Sequence, residues 1–211
     1  MPRNLTPADI AEFRNRLCDV GVQLFSELGF ERFNMRELAK RLGVSAMTPY
    51  RYFEHKEAIL AEVRVRAFAR FADWLEEQLS APDADDTNAL GHAYAQFAVQ
   101  EQTLYRLMFD LNQPQSSALP ALAAQERRIR NVLVAHARAL EGGSLVASDP
   151  ELLGLILWST LHGTTTLYLA GKLSSLDFDS AVTNAVRTFT LCVAPKNITI
   201  GAPFAGGQTA A

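Results

Sequence analysis

The sequence predicts an all-α fold, and three observations support this prediction. Apolar residues recur at three- and four-residue steps along most of the chain, which is the helical period rather than the alternation of strands. Several such stretches begin with a Ser, Thr, Asn or Asp cap and end at Gly or Pro, as helices do. The chain has 211 residues, 48% of them hydrophobic, so it can bury a sizeable core in one domain or two small ones.

The first helix is predicted to begin at Thr6-Pro7, because a Thr cap precedes proline at the first helical position and Asp9 stands at the third. Its apolar face runs to Gly29 through Ile10, Phe13, Leu17, Val20, Leu24 and Leu28. We expect this helix to pack on the next two and complete a three-helix unit.

The stretch from Arg32 to Glu57 predicts a helix, a tight turn and a second short helix. Asn34 suits an N-cap, and Glu37, three residues later, completes a capping-box pattern. Gly43 suits the left-handed position just past a helix end, and Ser45 is placed to cap the second helix. These signals are typical of a helix-turn-helix, whose second helix enters the major groove of DNA.

The charge distribution is compatible with DNA binding only locally. The formal net charge is −3, but from Met1 to Arg66 eleven Lys and Arg stand against nine Asp and Glu, whereas the rest has nine against fourteen. Positive charge is therefore concentrated where phosphate contacts would need it. A solvated helix surface that happens to be basic is the alternative, and charge alone does not decide between the two.

A long helix is predicted from about Lys56 to Leu79, and at about 1.5 Å per residue it spans about 35 Å, enough to enter a second domain. Further helices are predicted in chain order: one capped by Thr87, one over 103–109, one from about Leu119 to Glu141, one starting at Asp149-Pro150-Glu151, and a last one starting at Asp177 or Asp179 and ending at Pro195. The basic cluster Arg127, Arg128 and Arg130 is interpreted as a solvated face.

The segment from Leu152 to Gly171 contains no charged side chain. About 20 uncharged residues can cross a bilayer. Six Ser, Thr and His residues make this segment too polar for that, and no other candidate span exists, so we expect no membrane association. A helix that is apolar nearly all round is better explained as buried on two sides, one against its own core and one against a partner subunit.

From Gly43 to Leu60 the sequence resembles the TetR family of transcriptional repressors, which share a helix-turn-helix closing on a Tyr-x-Tyr-Phe-like run and a Lys-Glu pair before a long helix. The similarity extends over about Asp9 to Leu60. Farther along, the run from Trp158 to Gly163 resembles the Trp-x-x-x-His-Gly motif of one subgroup of regulatory domains.

This resemblance implies the domain organisation and the partners. A helix-turn-helix DNA-binding domain occupies residues 1–60, a larger helical ligand-binding and dimerisation domain occupies 61–195, and a flexible tail occupies 196–211. The implied partners are double-stranded DNA, a second copy of the chain that packs through the last two helices, and a small-molecule effector. The effector, apolar or amphiphilic, would bind among the central helices and release a near-palindromic operator.

By position, the resemblance places DNA contacts at Arg36, Ser45, Met47, Thr48, Tyr50, Arg51 and Lys56. Chemically, Arg51 suits a bidentate contact with guanine, Met47 and Thr48 suit a thymine methyl, and Tyr50 and Lys56 suit phosphate. Tyr52 and Phe53 are interpreted as core residues instead.

The sequence departs from the family pattern at two positions. Pro49 stands where an aliphatic residue is usual, and we expect it to tilt or tighten the start of the recognition helix. His55 stands where a small cap is common, and we expect no pH switch there because a positive charge is disfavoured at a helix N-terminus.

The effector site is predicted from aromatic and apolar residues with few polar groups: Phe97, Tyr105, Met108, Phe109, Trp158, His162 and Tyr168. Core or dimer packing is the alternative for each, and it is the favoured interpretation for Met108, Phe109 and His162. A dimeric helix-turn-helix protein without any effector is the alternative function.

The sequence predicts neither an enzyme nor a cofactor or metal site. His92, His136 and His162 are scattered, and no phosphate-binding loop, nucleophile elbow or zinc spacing appears. The cysteines Cys18 and Cys192 form no Cys-x-x-Cys pair, and they are interpreted as core residues in a reducing compartment. The first residues contain no apolar signal core, so a cytoplasmic location is expected.

Overall fold

A computed structural model describes residues 6–80, 88–109, 119–140 and 149–192, and the regular elements in these ranges are all helical. The helices are α1 (Pro7–Arg32), α2 (Met35–Arg41), α3 (Lys56–Leu79), α4 (Ala89–Gln100), α5 (Gln102–Met108), α6 (Pro120–Leu140), α7 (Pro150–Leu169) and α8 (Ser175–Cys192). The all-α prediction is therefore confirmed. In the described part of the chain, no helix is long and apolar enough to cross a membrane.

The predicted starts of the early helices are confirmed at the level of single hydrogen bonds. At α1 the backbone N–H of Asp9 donates to the Thr6 hydroxyl (3.2 Å) and the Thr6 N–H donates to the Asp9 carboxylate (2.8 Å). At α2 the Glu37 N–H donates to Asn34 Oδ1 (2.9 Å), but only this half of the predicted capping box forms. The Glu37 carboxylate instead lies 3.8 Å from Lys40 Nζ.

The second helix of the motif is much shorter than predicted. Gly43 takes the expected left-handed conformation (φ 69°), but after it the chain forms only a 3₁₀ turn, Pro49–Arg51. Pro49 has no N–H to donate to the Ser45 carbonyl, and its ring crowds that oxygen. The carbonyls of Ser45 and Thr48 accept instead from the N–H groups three residues on, at 2.8 and 3.1 Å. The start of the element is therefore tightened to 3₁₀ bonds, and an α-type bond, from the Phe53 N–H to the Pro49 carbonyl (3.0 Å), forms only at its end.

Two hydrophobic cores share the long helix α3. The core of the N-terminal unit contains Phe53 together with Ile59 and Val63 from the first turns of α3. The larger core uses the later turns of α3, including Phe71 and Leu75, and packs them against α4, α5, α6 and α7. Because one helix belongs to both cores, it connects them mechanically.

Further predictions are revised by the structure or fall on residues outside the description. Helix α8 begins at Ser175, ahead of the predicted Asp177 or Asp179, because Ser174 caps it by accepting from the Asp177 N–H at 3.2 Å. Arg128, one of the basic residues expected on a solvated face, is 36% exposed but also pairs with Glu76 (2.7 Å) and Asp73 (2.6 Å) on α3. Thr87, the side chain of Cys192 and the tail 196–211 lie outside the described residues.

The remaining cysteine, Cys18, is buried as predicted. Burial raises the pKa of its thiol to about 11. A thiol with this pKa is almost entirely protonated at neutral pH and is a poor nucleophile.

Candidate functional site

The helix-turn-helix presents a polar and cationic surface to solvent. Of the seven residues predicted to contact DNA, five are exposed and two, Thr48 and Lys56, are half-buried: the exposed five are Arg36, Ser45, Met47, Tyr50 and Arg51. Met47 is 67% exposed and Tyr50 46%, so an apolar and an aromatic side chain are accessible beside the polar groups. Arg36 lies on α2, which contacts the 3₁₀ turn that contains Tyr50 and Arg51, whereas Lys56 begins α3.

Several basic residues of this unit have acidic partners. Arg41 forms a bidentate pair with Glu27 of α1 (3.1 and 2.8 Å), Lys40 lies near Glu37, and Arg14 lies 3.7 Å from Glu62. In the part of the chain that the structure describes, neither Arg36 nor Arg51 forms an ion pair or a side-chain hydrogen bond. Their charge is therefore available to an external anion.

Arg14 fixes the end of the 3₁₀ turn. Its guanidinium donates to the Tyr52 carbonyl (2.8 Å) and lies 4.2 Å from the centre of the Phe53 ring, which is buried as predicted. Tyr52 packs on Phe13 of α1 with ring centres 4.8 Å apart, which confirms its interpretation as a core residue. These contacts hold the exposed turn rigidly against α1 and α3.

A side chain caps the N-terminus of α3. His55 is its N-cap residue, and His55 Nδ1 accepts from the Ala58 N–H at 3.2 Å. The same nitrogen lies 3.2 Å from a carboxylate oxygen of Glu57. Lys56, the predicted phosphate contact, occupies the first position of this helix and is half-buried.

The second candidate site is a cavity of about 480 Å³ between α5 and α7. Its wall combines aromatic, aliphatic and polar groups: Tyr105, Arg106, Phe109, His162, Thr166, Leu169 and Ala170. A volume of this order is typical of sites for small organic ligands. Among the described residues that line the cavity, Arg106 alone carries a formal charge.

A chain of hydrogen bonds runs behind this cavity. Trp158 Nε1 lies 3.2 Å from the Tyr94 hydroxyl, which lies 3.1 Å from the Tyr105 hydroxyl, which lies 2.8 Å from His162 Nδ1. Burial raises the pKa of both tyrosines, and burial lowers the pKa of His162. At neutral pH the tyrosines are therefore neutral and His162 favours its uncharged form.

The direction of this chain follows from the chemistry of its ends. An indole N–H can only donate, so the Tyr94 oxygen accepts from Trp158 and Tyr94 must give its own proton onward. The order Trp158 to Tyr94 to Tyr105 to His162 Nδ1 uses the shortest contact, 2.8 Å, for its last step, whereas the Tyr94 hydroxyl lies 3.5 Å from the same nitrogen. His162 then carries its proton on Nε2, which lies 3.5 Å from the Thr166 hydroxyl in the cavity wall. The network thus presents an N–H donor to the cavity.

Not all residues predicted for the effector site line the cavity. Tyr105, Phe109 and His162 do, whereas Phe97 and Met108 are fully buried in the larger core. Trp158 acts behind the wall through its bond to Tyr94, and Tyr168 stacks on Phe178 of α8 (4.1 Å, 7°).

The sequence did not single out Tyr94 or the wall residues Arg106, Thr166, Leu169 and Ala170. One signal was present in the sequence: Thr166 follows His162 by four residues and therefore shares its helix face. In the described ranges, no group of His, Cys, Asp and Glu is arranged to hold a metal ion.

Two family models together match most of the chain. The family model for bacterial regulatory proteins of the tetR family matches residues 17–63, and the model for the tetracyclin repressor-like C-terminal domain matches residues 87–189. None of the curated proteins compared with the chain is significantly similar to it in sequence.

Solved structures share the fold at low sequence identity. A protein of unknown function from Rhodococcus sp. RHA1 is 24% identical over 92% of this chain and 100% of its own, with a TM-score of 0.70. The fatty acid degradation regulator FadR from Bacillus halodurans is 20% identical over 89% and 97%, with a TM-score of 0.68. The TetR family transcriptional regulator PfmR from Thermus thermophilus is 21% identical over 83% and 97%, with a TM-score of 0.64.

Proposed function

We propose a ligand-gated repressor function for this chain, which belongs to the TetR family of bacterial transcriptional regulators. A dimer of the chain binds a near-palindromic operator through its two helix-turn-helix units. A small apolar or amphiphilic molecule entering the cavity between α5 and α7 favours a conformation that fits the operator less well. It weakens DNA binding by no more than its own preference for that conformation.

The observation that carries the DNA-binding part is the unequal pairing of the basic residues. Arg41, Lys40 and Arg14 have acidic partners in the unit, whereas Arg36 and Arg51 have none among the described residues. Exposed Met47 and Tyr50 lie beside Arg51, so the surface combines cation, apolar and hydroxyl chemistry. Such a combination suits contact with both phosphates and base edges in a major groove.

The dimer is supported by an exposed apolar stripe on α7. Its apolar residues are Leu152, Leu155, Ile156 and Leu167, which are 42–53% exposed. Ser159, Thr160 and Gly163 lie between them on the same face of the helix. The hydroxyls of Ser159 and Thr160 donate to backbone carbonyls of their own helix at 2.9 Å. The stripe can therefore enter an interface without leaving these donors unsatisfied.

Helix α5 supplies a route between the two sites. Tyr105 lines the cavity, while Leu107, two residues on, belongs to the core of the N-terminal unit. Arg106 lines both the cavity and a groove that α5 forms with Phe25 and Ser26 of α1. We propose that a ligand displacing Tyr105 shifts this short helix and, through Leu107, the helix-turn-helix unit.

The DNA-binding part is tested by Arg51→Ala and Arg36→Ala. An operator is first selected from random duplexes with the full-length protein, and affinity is then measured by fluorescence anisotropy at several salt concentrations. If Arg51 reads a base, its loss weakens operator binding by about 1–3 kcal/mol and relaxes sequence preference at one position. Loss of a phosphate contact at Arg36 weakens binding to all sequences and lowers the salt slope by about 1.

Arg127→Ala is the matched control, because it removes an exposed arginine from α6, away from the helix-turn-helix. It should leave operator affinity and the salt slope unchanged. Binding that is weak and sequence-independent in the native protein, or equal losses in all three variants, would contradict the proposed DNA-binding surface.

A further inference from the structure

We propose that the effector is an amphiphilic monocarboxylate, held by Arg106, His162 and Thr166 at its charged end and by the aromatic wall along its apolar body. This inference rests on the proposed function, because it specifies the ligand class of the same cavity. It adds a charge preference that an apolar cavity by itself would not have.

The first support is the uncompensated charge of Arg106. Its guanidinium donates to the Leu169 carbonyl at 3.1 Å, and a guanidinium has five N–H donors, so most of them remain available. No Asp or Glu in the described part of the chain forms an ion pair with Arg106, and no acidic residue lines the cavity there. A carboxylate is the planar acceptor that a guanidinium binds best, through two parallel bonds.

The second support is the proton arrangement imposed by the tyrosine network. Because Tyr105 donates to His162 Nδ1, the proton of the neutral imidazole is on Nε2, on the side of Thr166. The cavity therefore offers an N–H donor and a hydroxyl as well as the guanidinium. A ligand group that only accepts hydrogen bonds satisfies all three, whereas an ammonium group satisfies neither Arg106 nor the His162 N–H.

The third support is the rest of the wall, which selects an apolar body. Phe109 packs its ring 4.3 Å from that of His162 and 5.0 Å from that of Tyr105, so three rings form one continuous surface. Leu169 and Ala170 complete the lining. Burying an aryl or alkyl body against these groups contributes roughly 25 cal/mol per Å² of apolar surface, and the carboxylate confers the selectivity.

The test compares ligands that differ only in their head group. Two bodies are used, phenylbutyl and decyl, each as the carboxylate (4-phenylbutanoate, decanoate), its methyl ester and the corresponding primary amine. Binding to the full-length protein without DNA is measured by isothermal titration calorimetry at neutral pH. For at least one body, we expect the carboxylate to bind about tenfold more tightly than the ester, since a hydrogen bond to a charged group contributes about that factor.

Arg106→Gln should lower the affinity for the carboxylate about tenfold and leave that for the ester nearly unchanged, whereas Arg106→Lys should retain part of the preference. Arg127→Gln is the matched control, because it removes the same charge from the exposed face of α6. The Lys variant also guards against misfolding, since it keeps the charge if loss of the bond to Leu169 disturbs the Gln variant.

The inference is overturned if no carboxylate of the series binds, if esters or amines bind as tightly, or if Arg106→Gln keeps the preference. A separate titration of the protein–operator complex with the same ligands, followed by fluorescence anisotropy of labelled operator, separates this result from the gating proposal. Carboxylates that bind through Arg106 without releasing DNA would uphold the ligand class and refute the gating. An ester or amine that releases DNA would uphold the gating and refute the ligand class.

Discussion

At the scale of single residues, the hydrogen bonds behind the cavity wall depend on the protonation state of His162. Its Nδ1 is the final acceptor of a chain that begins at a donor-only indole. A proton added at Nδ1 would remove this acceptor and break the 2.8 Å hydrogen bond from Tyr105. Burial disfavours the charged imidazole for a separate reason, and both effects act in the same direction.

This predicts that stability depends on His162 below neutral pH. The pKa of His162 is lowered from 6.5 in the folded protein, so the unfolded chain binds more protons as the pH falls. Neutral His162 makes its full contribution to the free energy of unfolding above pH 6.5. This contribution is lost as the pH falls toward the folded-state pKa, by at most about 1.4 kcal/mol per pH unit. Urea unfolding of the native protein and of His162→Asn, which does not titrate, should show this slope only in the former.

His55→Asn is the control for that experiment. It removes an imidazole outside the network, and Asn is a good helix cap. The His55→Asn variant should keep the slope of unfolding free energy against pH that His162 contributes. An unchanged slope in His162→Asn would mean that another group causes the pH dependence.

At the scale of elements, the body of the protein depends on the close approach of α6 and α7. A Cβ at Gly154 would lie 2.8 Å from Val134 Cγ2 and 3.1 Å from the Val134 backbone nitrogen. A glycine inside a helix has lower helix propensity than alanine, so its presence here is explained by packing. The position of α7, and with it that of His162, is therefore set by this contact.

Gly154→Ala should destabilise the protein by about 1–3 kcal/mol, because backbone atoms of α6 must move to admit the methyl group. Gly163→Ala on the same helix is the matched variant, since a Cβ there meets no atom of the described chain within 4 Å. Both changes are made in a Leu155→Glu background, because Gly163 lies in the stripe proposed as the dimer interface. Gly163→Ala should be neutral or stabilise by about 0.5–1 kcal/mol through helix propensity. Thermal unfolding of both variants measures the difference, and equal effects would exclude close packing as the cause.

The 3₁₀ turn Pro49–Arg51 is a second element whose geometry depends on contacts with other helices. Local signals predicted a capped helix after Gly43, and the structure has a 3₁₀ turn whose bonds bypass the missing N–H of Pro49. The turn is held from outside, by Arg14 and by the packing of Tyr52 on Phe13. Its geometry is thus determined by tertiary contacts more than by its own hydrogen bonds.

At the scale of the whole molecule, the exposed stripe of α7 places a proposed dimer interface on the helix that carries His162. The larger core covers the opposite side of α7, including Leu157 and Leu161. A second copy covering the stripe would hold α7 between two packed faces. Each dimer would then present two recognition turns, which successive major grooves require to lie about 34 Å apart.

Leu155→Glu should convert the dimer to a monomer, because a charge buried in an apolar interface without a partner is costly. Light scattering after size-exclusion chromatography measures the mass, and anisotropy should show weaker operator binding. Ile10→Glu is the matched control, since Ile10 of α1 is also an exposed aliphatic residue (40%) but lies outside the stripe. A monomeric native protein, or a dimeric Leu155→Glu variant, would refute this interface.

The sequence by itself determined the helices and most of their starts, because caps, prolines and apolar spacing act over three or four residues. Thr6, Asn34 and Asp149 each accept the capping bond that their position predicts. It also determined that Cys18 and Phe53 are buried, since their neighbours along the chain already define an apolar face.

Only the tertiary structure decided which predicted residues meet in one cavity. Phe97 and His162 look alike as candidates in the sequence, but one is fully buried in the core and the other lies in a cavity wall, because α4, α5 and α7 cross at particular angles. Arg106 and Tyr94 acquire their roles from partners 63 and 64 residues away, Leu169 and Trp158. Long-range packing sets such distances, and no local pattern encodes them.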